Sequence, residues 1–475
     1  MRRTLLSLCL LTACGEPALS EVELTRWTQW VAGARIVEGP PKVDVLLVVD
    51  DSPSMHDQAG LLADNLRAIA AVYESEWLDY RIGVITTHVA GPDCTSGRDG
   101  GLVRTSCRER LPSFVTSANQ ESPAVDLRQV CTDSCSLDEV TTLPTSVGPD
   151  DTARPRAWLE RGGAGQNTAD PVEALVCLGQ VGVSGCTAES PLGAVQRFLD
   201  RAEDPEDPDF GFLREDAGLS IVFIGDEDDC SRASATSLRG GGSVSAACWR
   251  AGADCVEGEE GVSCEAASSP DLLDLDGFVE RLLEIDANKR LARGRDGQRV
   301  FVSAVAGVPP GYPDLPQPFE PGADPAFEDA FGVGAGCVRD DVVGAPSVRT
   351  VAVAESFAPW QSSVVSACVP NWTAALACLP GPSLDAPPPF CLDVELLAEG
   401  ADLSEYCVMT ETRGGQTRRL PECNVEDTDA CVLWVPTMET PDYCLDRGLG
   451  AAVFLRRRDP SWETLEYEVT CAAEI

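Results

Sequence analysis

Two periods of apolar residues alternate along most of this chain. VDVLLVV (43–49), YRIGVITT (80–87), LSIVFIG (219–225) and VFVSAVAG (300–307) are short, nearly continuous apolar runs, as expected for strands buried on both faces. Between them the apolar residues step by three or four. Leu62, Leu66, Ile69 and Tyr73 do so within DQAGLLADNLRAIAAVYES, and Ala194, Val195, Phe198 and Leu199 do so after Pro191. Further helices are expected over DGFVERLLEI (276–285), near VRTVAVAESF and near NWTAALACL. Strands alternating with helices predict an α/β fold: a doubly wound, mostly parallel sheet with helices on both faces. Its binding sites are expected beyond the carboxyl ends of the strands.

The turn-rich stretch carrying Cys94, Cys107, Cys131 and Cys135 lacks either period and reads as a disulfide-pinned insertion. PGPSLDAPPP (380–389) reads as a linker. Beyond it, Cys391, Cys407, Cys423, Cys431, Cys444 and Cys471 are spread among short alternating segments such as CVLWV and YEVTC. A small, cysteine-rich, β-rich C-terminal domain is expected there. The expected layout is a signal peptide over 1–13, a tether over 14–41, an α/β domain over 42–380 and the C-terminal domain over 381–475.

The N-terminus, MRRTLLSLCLLTAC, places Arg2 and Arg3 before an apolar run too short to span a bilayer, as in a signal peptide. Leu11-Thr12-Ala13-Cys14 resembles a bacterial lipobox, which implies cleavage before Cys14, its acylation and a membrane anchor. With Gly15 next, the resemblance favours an outer-membrane lipoprotein of a Gram-negative bacterium. The chain has 21 cysteines, two histidines and no CxxC pair. In an exported protein this indicates disulfides and not zinc. Without Cys9 and Cys14 nineteen remain, an odd number. The formal net charge of −41 over 475 residues disfavours nucleic acid as a partner.

Two of the apolar strands end in aspartate, and there the candidate chemistry gathers. Asp50-x-Ser52-x-Ser54 follows the first, Asp226 follows LSIVFIG, and Thr187 lies in SGCTAESPLGAV ahead of a helix. These are hard oxygen donors without sulfur or imidazole, a set suited to Mg2+, with Ca2+ or Mn2+ as alternatives. Each donor also has a plainer reading: Asp50, the serines and Thr187 as helix caps, Asp226 as a turn residue.

DVLLVVDDSPSM resembles the first strand and metal-ion-dependent adhesion site of a von Willebrand factor type A domain. GCTAESPL is similar to that family's threonine loop and IVFIGDED to its fourth strand. With YRIGVITT, FLREDAGLSIVFIGDEDDCS and the lipobox, the chain resembles the cysteine-rich type A lipoproteins of myxobacteria over about residues 42–380. The resemblance implies that Ser52, Ser54 and Thr187 hold an ion through hydroxyls, and Asp50 and Asp226 directly or through water. Gly225 and Glu227 stand where the family has threonine and glycine. A Cys177–Cys186 disulfide is expected to stiffen the threonine loop. The implied function is cell-surface binding, in which a protein ligand offers a carboxylate to the metal. The alternative is a structural envelope lipoprotein whose metal only stabilises the fold. A serine hydrolase is disfavoured: no GxSxG elbow occurs, and neither His56 nor His88 has a catalytic context.

Overall fold

In the computed structural model the described residues are 30–38, most of 42–372, and 390–392, 403–413, 415–423, 431–435, 451–456 and 465–472. Breaks within 42–372 fall at 76–77, 92–93, 95–96, 120–121, 148–149, 163–164, 235–237, 239–241, 259–260, 294–299, 320–323 and 359–360. The chain divides into two compact units.

The larger unit, Gly39–Pro388 with Pro460–Thr464, is built on a seven-stranded sheet. Its strands in chain order are β1 (Lys42–Val49), β2 (Asp79–Thr86), β3 (Leu159–Gly162), β4 (Gly165–Gln166), β5 (Gly218–Ile224), β6 (Val300–Ala306) and β7 (Ser362–Ser366). The spatial order is β7-β6-β5-β1-β2-β3-β4. The first five are parallel, and β3–β4 is an antiparallel hairpin on the edge next to β2.

Alternation along β1 divides the core. Val43, Val45, Leu47 and Val49 join a layer with Leu62, Leu66, Ile69 and Tyr73 of α1 (Ala59–Ser75) and Leu175, Val176 and Leu178 of α2 (Pro171–Gly179). Leu46 and Val48 join the opposite layer. That layer holds Leu192, Val195, Phe198 and Leu199 of α3 (Pro191–Glu203), Phe278 and Leu282 of α5 (Leu275–Arg293), and Val351 and Ala354 of α6 (Val348–Glu355). Helix α4 (Val244–Gly252) follows the β5 loop. Asp44, fully buried in the middle of β1, is an exception to the apolar pattern. Arg214 reaches it with Nε at 2.7 Å from Oδ1 and with its own amide at 2.7 Å from Oδ2, and also pairs with Asp79.

The expected insertion is not wholly outside the core. It contains α2 and the β3–β4 edge, whose Leu159, Leu175 and Val176 are fully buried. The helix expected near NWTAALACL lies, apart from its first two residues, outside the described residues, as do Cys14 and the signal peptide.

The smaller unit comprises 1–38, Pro389–Asp459 and Leu465–Ile475. Trp30–Glu38 is a strand paired antiparallel with Leu465–Ala472, so the expected tether contains sheet. Cys407–Arg413 pairs on the other side of Leu465–Ala472, and Gln416–Arg419 completes a four-stranded sheet. Phe390–Leu392, Ala451–Arg456 and Cys431–Val435 form a second, three-stranded sheet.

Eight disulfides join described cysteines. Six lie in the larger unit, and Cys407–Cys471 and Cys423–Cys431 lie in the smaller one. Cys177 does not pair with Cys186. Cys177, at the end of α2, faces a buried cluster with Cys107, Cys131 and Phe114 and bonds Cys135. Cys186 bonds Cys94. Proximity in sequence misled here, because Gly179 to Gly185 carries the chain away from α2 toward the sheet edge. Among the described residues, no helix is long and apolar enough to cross a membrane.

Candidate metal centre

Register brings the two aspartates to one place. Val49 lies opposite Ile224 across the β1–β5 pair, and the Asp50 amide donates to the Ile224 carbonyl at 2.8 Å. Both chains therefore leave the sheet side by side. After β1 the chain turns through a short 3-10 helix, Pro53–His56, in which Pro53 fixes the first position. The turn folds Ser52 and Ser54 back over the strand end.

The hydroxyls of Ser52 and Ser54 are 2.7 Å apart, and Ser54 Oγ donates to Asp226 Oδ1 at 3.1 Å. Asp50 Oδ1 accepts the Ser52 amide at 2.8 Å and the Thr87 hydroxyl at 3.3 Å. Four of the five expected ligands thus form one connected cluster. Thr187 is in the adjacent loop and half-buried; among the described residues no hydrogen bond joins its hydroxyl to the cluster. Its carbonyl accepts from Ser245 Oγ at 3.1 Å. That loop is nonetheless fixed beside the site, with Gly185 N to Asp51 O at 2.6 Å and Ser190 N to Thr87 O at 3.0 Å.

Two glycines permit this crowding. A β-carbon on Gly185 would lie 2.5 Å from Asp51 Oδ1, closer than any side chain tolerates. One on Gly225 would lie 3.2 Å from Asp50 Oδ2, so glycine here leaves room around that carboxylate.

Burial pushes the Asp50 carboxyl up to about 7, and the Asp51 charge adds to the rise against the opposing Ser52 amide. Asp226 is raised well above the usual range, again by burial first and then by the charges of Asp50 and Glu227. Among the described residues neither carboxylate has an ion-pair partner. Two buried acids that repel each other, with two hydroxyls between them, have no positive charge beside them among the described residues, and the donor set is one that a hard divalent cation would fit.

The remaining acids of the β5 loop do different work. Asp229 Oδ1 accepts the Leu192 amide at 3.2 Å at the start of α3, and Oδ2 pairs with Arg349 Nε at 3.1 Å. Asp228 Oδ1 accepts the Arg349 amide at 2.9 Å in the first turn of α6. Asp51 turns from the cluster toward His88, 3.7 Å from its Nδ1, and His88 Nε2 lies 3.2 Å from Cys186 Sγ. His56 contacts the carbonyls of Pro53 and Ser54 and, through Nε2, Asp57.

Thr87 was missed by sequence reasoning, although it follows an apolar strand just as Asp50 does. The available signal was the equal ending of the two strands, with Val49 opposite Thr86.

No family model matches the chain, and no curated protein matches it. Among solved structures it is similar to the pilus adhesin SpaC from Lactobacillus rhamnosus GG in its open conformation (TM-score 0.31, 8% identity, covering 94% of this chain and 42% of that one). It is also similar to the pilus adhesin RrgA from Streptococcus pneumoniae (TM-score 0.26, 11% identity, 94% and 58%). A further likeness is to the human COPII-coat protein Sec24c (TM-score 0.25, 8% identity, 94% and 42%). The chain thus spans less than two thirds of each of these structures. Likeness at this level says nothing of function.

Proposed function

We propose that this chain is a cell-surface binding protein of the von Willebrand factor A type, with a divalent cation held by Asp50, Ser52, Ser54 and Asp226. Mg2+ is the first choice, with Ca2+ or Mn2+ as alternatives. The observation that carries the reading is the pair of buried carboxylates, Asp50 and Asp226, without a counter-ion among the described residues. Thr187, in the neighbouring loop, would contribute through a modest turn of that loop or through a water. The cation, when bound, supplies the positive charge that an acidic surface otherwise lacks, so a carboxylate of a partner protein can complete its shell. Acylation at Cys14 would tether the molecule to the outer membrane.

One observation favours a second reading, in which the ion is only structural. Asp50, Ser52, Ser54 and Asp226 are 2%, 1%, 7% and 3% exposed, so a partner's carboxylate must find an opening that the protein itself nearly closes. Water-proton relaxation of the Mn2+-loaded protein separates the two. A rapidly exchanging bound water, displaced by carboxylate-bearing peptides, supports binding; an ion without exchangeable water supports the structural role.

A further inference from the structure

The Cys94–Cys186 disulfide ties the loop after β2 to the loop that carries Thr187, across 92 residues of sequence. Cys94 is buried and Cys186 half-buried, so one end of the bridge reaches solvent. His88 stands at that end. Its Nε2 is 3.2 Å from Cys186 Sγ, and a ring nitrogen lies within 4.8 Å of the Cys94 sulfur as well. Asp51 Oδ2, 3.7 Å from Nδ1, faces the far side of the ring. The other disulfides of the larger unit lack this combination. Four of them have both cysteines buried. One of those, Cys135–Cys177, has the Glu173 carboxylate within 4.8 Å of its sulfurs, a charge that opposes a thiolate. Cys255–Cys264 has an exposed cysteine, but it joins facing positions of one hairpin, Ala253–Gly258 with Gly261–Ala266. The chain has two histidines, and the other, His56, is turned to Pro53, Ser54 and Asp57.

We propose that Cys94–Cys186 is a thiol–disulfide exchange site, served by His88, through which a small dithiol releases the loop that carries Thr187. A thiolate of the dithiol attacks Cys186 Sγ, at the more exposed end. The S–S bond breaks, its electron pair goes to Cys94 Sγ, and His88 supplies the proton that this sulfur takes up. The second thiol of the reagent, as thiolate, then attacks its own sulfur in the mixed disulfide. That closes a cyclic disulfide in the reagent and expels Cys186, which is protonated in turn through Nε2 of His88. Two electrons and two protons pass from the dithiol to the protein. The loop then keeps only its backbone ties at this point. These are the Gly185 amide on the Asp51 carbonyl at 2.6 Å and the Ser190 amide on the Thr87 carbonyl at 3.0 Å. Opening a bridge that spans so many residues restores freedom that local contacts do not replace. No cation enters the reaction, so it stands or falls apart from the site formed by Asp50 and the serines.

Timed reduction of the full native chain with dithiothreitol tests it, with iodoacetamide quenching and peptide mass spectrometry, all in chelator. Cys94 and Cys186 are expected to be labelled several-fold faster than the cysteines of the four buried disulfides. His88→Gln should slow their labelling several-fold and leave that of Cys255 and Cys264 unchanged, a selectivity that a general loosening of the fold would not give. At the dose that opens this pair, hydrogen exchange should quicken at the amides of Gly185 to Ser190 and stay unchanged in α2. Labelling of Cys94 and Cys186 no earlier than that of the buried disulfides overturns the proposal. So does an unchanged rate in His88→Gln, or loop amides indifferent to reduction. If His88→Gln does not fold, as judged by near-UV circular dichroism, the wild-type order of labelling and the loop exchange decide.

Discussion

Ser54 Oγ donates to Asp226 Oδ1 across 3.1 Å and so joins the loops after two neighbouring parallel strands, 172 residues apart in sequence. It is the direct link among the described side chains between the DxSxS loop and the second aspartate. Ser54→Ala removes one hydroxyl of the proposed cation site and that link without changing the apolar strands. Divalent-ion affinity is expected to fall about tenfold, the effect of roughly one hydrogen-bond-sized contact of about 1.4 kcal/mol. The ion-free melting temperature should stay close to wild type. Titration calorimetry and thermal melts in chelator provide the two readings, and unchanged affinity would count against Ser54 as a ligand.

The buried pair gives a pH dependence of definite sign. Asp50 rises from an ordinary value of 3.8 to about 7 in the folded, ion-free protein, and Asp226 is also raised. The folded state then holds protons that the unfolded state has released, so these groups favour folding at low pH. That contribution is lost as pH rises from about 4 through about 7. Because a bound cation would take the place of those protons, the stabilisation from saturating Mg2+ or Ca2+ should be several degrees larger at pH 8 than at pH 5. Melting curves with and without chelator at both values measure it. An ion-induced shift that is the same at pH 5 and pH 8 would contradict the placement of the site.

The disulfide pattern gives a chemical check. Non-reducing peptide mapping should recover Cys94–Cys186 and Cys135–Cys177, and no Cys177–Cys186 peptide. Replacing both Cys94 and Cys186 with serine frees the loop that carries Thr187 and Gly185. Cation affinity should weaken a few-fold while the domain remains folded.

Arg214 is a contrasting position, away from the sheet edge that carries Asp50 and Asp226. It bonds Asp44 in the centre of β1 and also pairs with Asp79. Arg214→Ala leaves buried Asp44 with Lys289 Nζ, at 3.8 Å, and the more distant Arg81 as its charged neighbours among the described residues. Denaturant unfolding should show a loss of about 3–5 kcal/mol, as for other broken buried pairs. The variant, where folded, should bind divalent ions like wild type.

The strands and helices with strong periods were legible in the sequence because burial on both faces forces a continuous apolar run, as in Val43–Val49 and Leu219–Ile224. Ser362–Ser366 was not legible: it is a half-buried edge strand with three serines, and its pairing with β6 rests on backbone hydrogen bonds. Helix α2 was hidden by its surroundings. It is only nine residues long and lies next to cysteine-rich turns that suggested surface. Trp30–Glu38 pairs with a strand more than 400 residues later, a relation that no local pattern encodes. In the candidate centre, Asp50, Ser52, Ser54 and Asp226 could be placed from strand ends and alternate spacing. Thr87 could not, because its role depends on the register of β1 against β2. Asp229 could be seen as part of an acidic run, but its use as a helix cap and Arg349 partner required the fold.

The claim at the centre is that Asp50 holds a cation while its neighbour Asp51 does not. Calorimetric titration with Mg2+ of wild type, Asp50→Ala and Asp51→Ala tests it most directly, with circular dichroism confirming that each is folded. The expected result is measurable binding by wild type, loss of that binding in Asp50→Ala, and near-wild-type binding in Asp51→Ala, whose side chain faces His88. Wild-type binding by both variants would contradict the account and leave Asp50, Ser52 and Ser54 as the start of a helical turn.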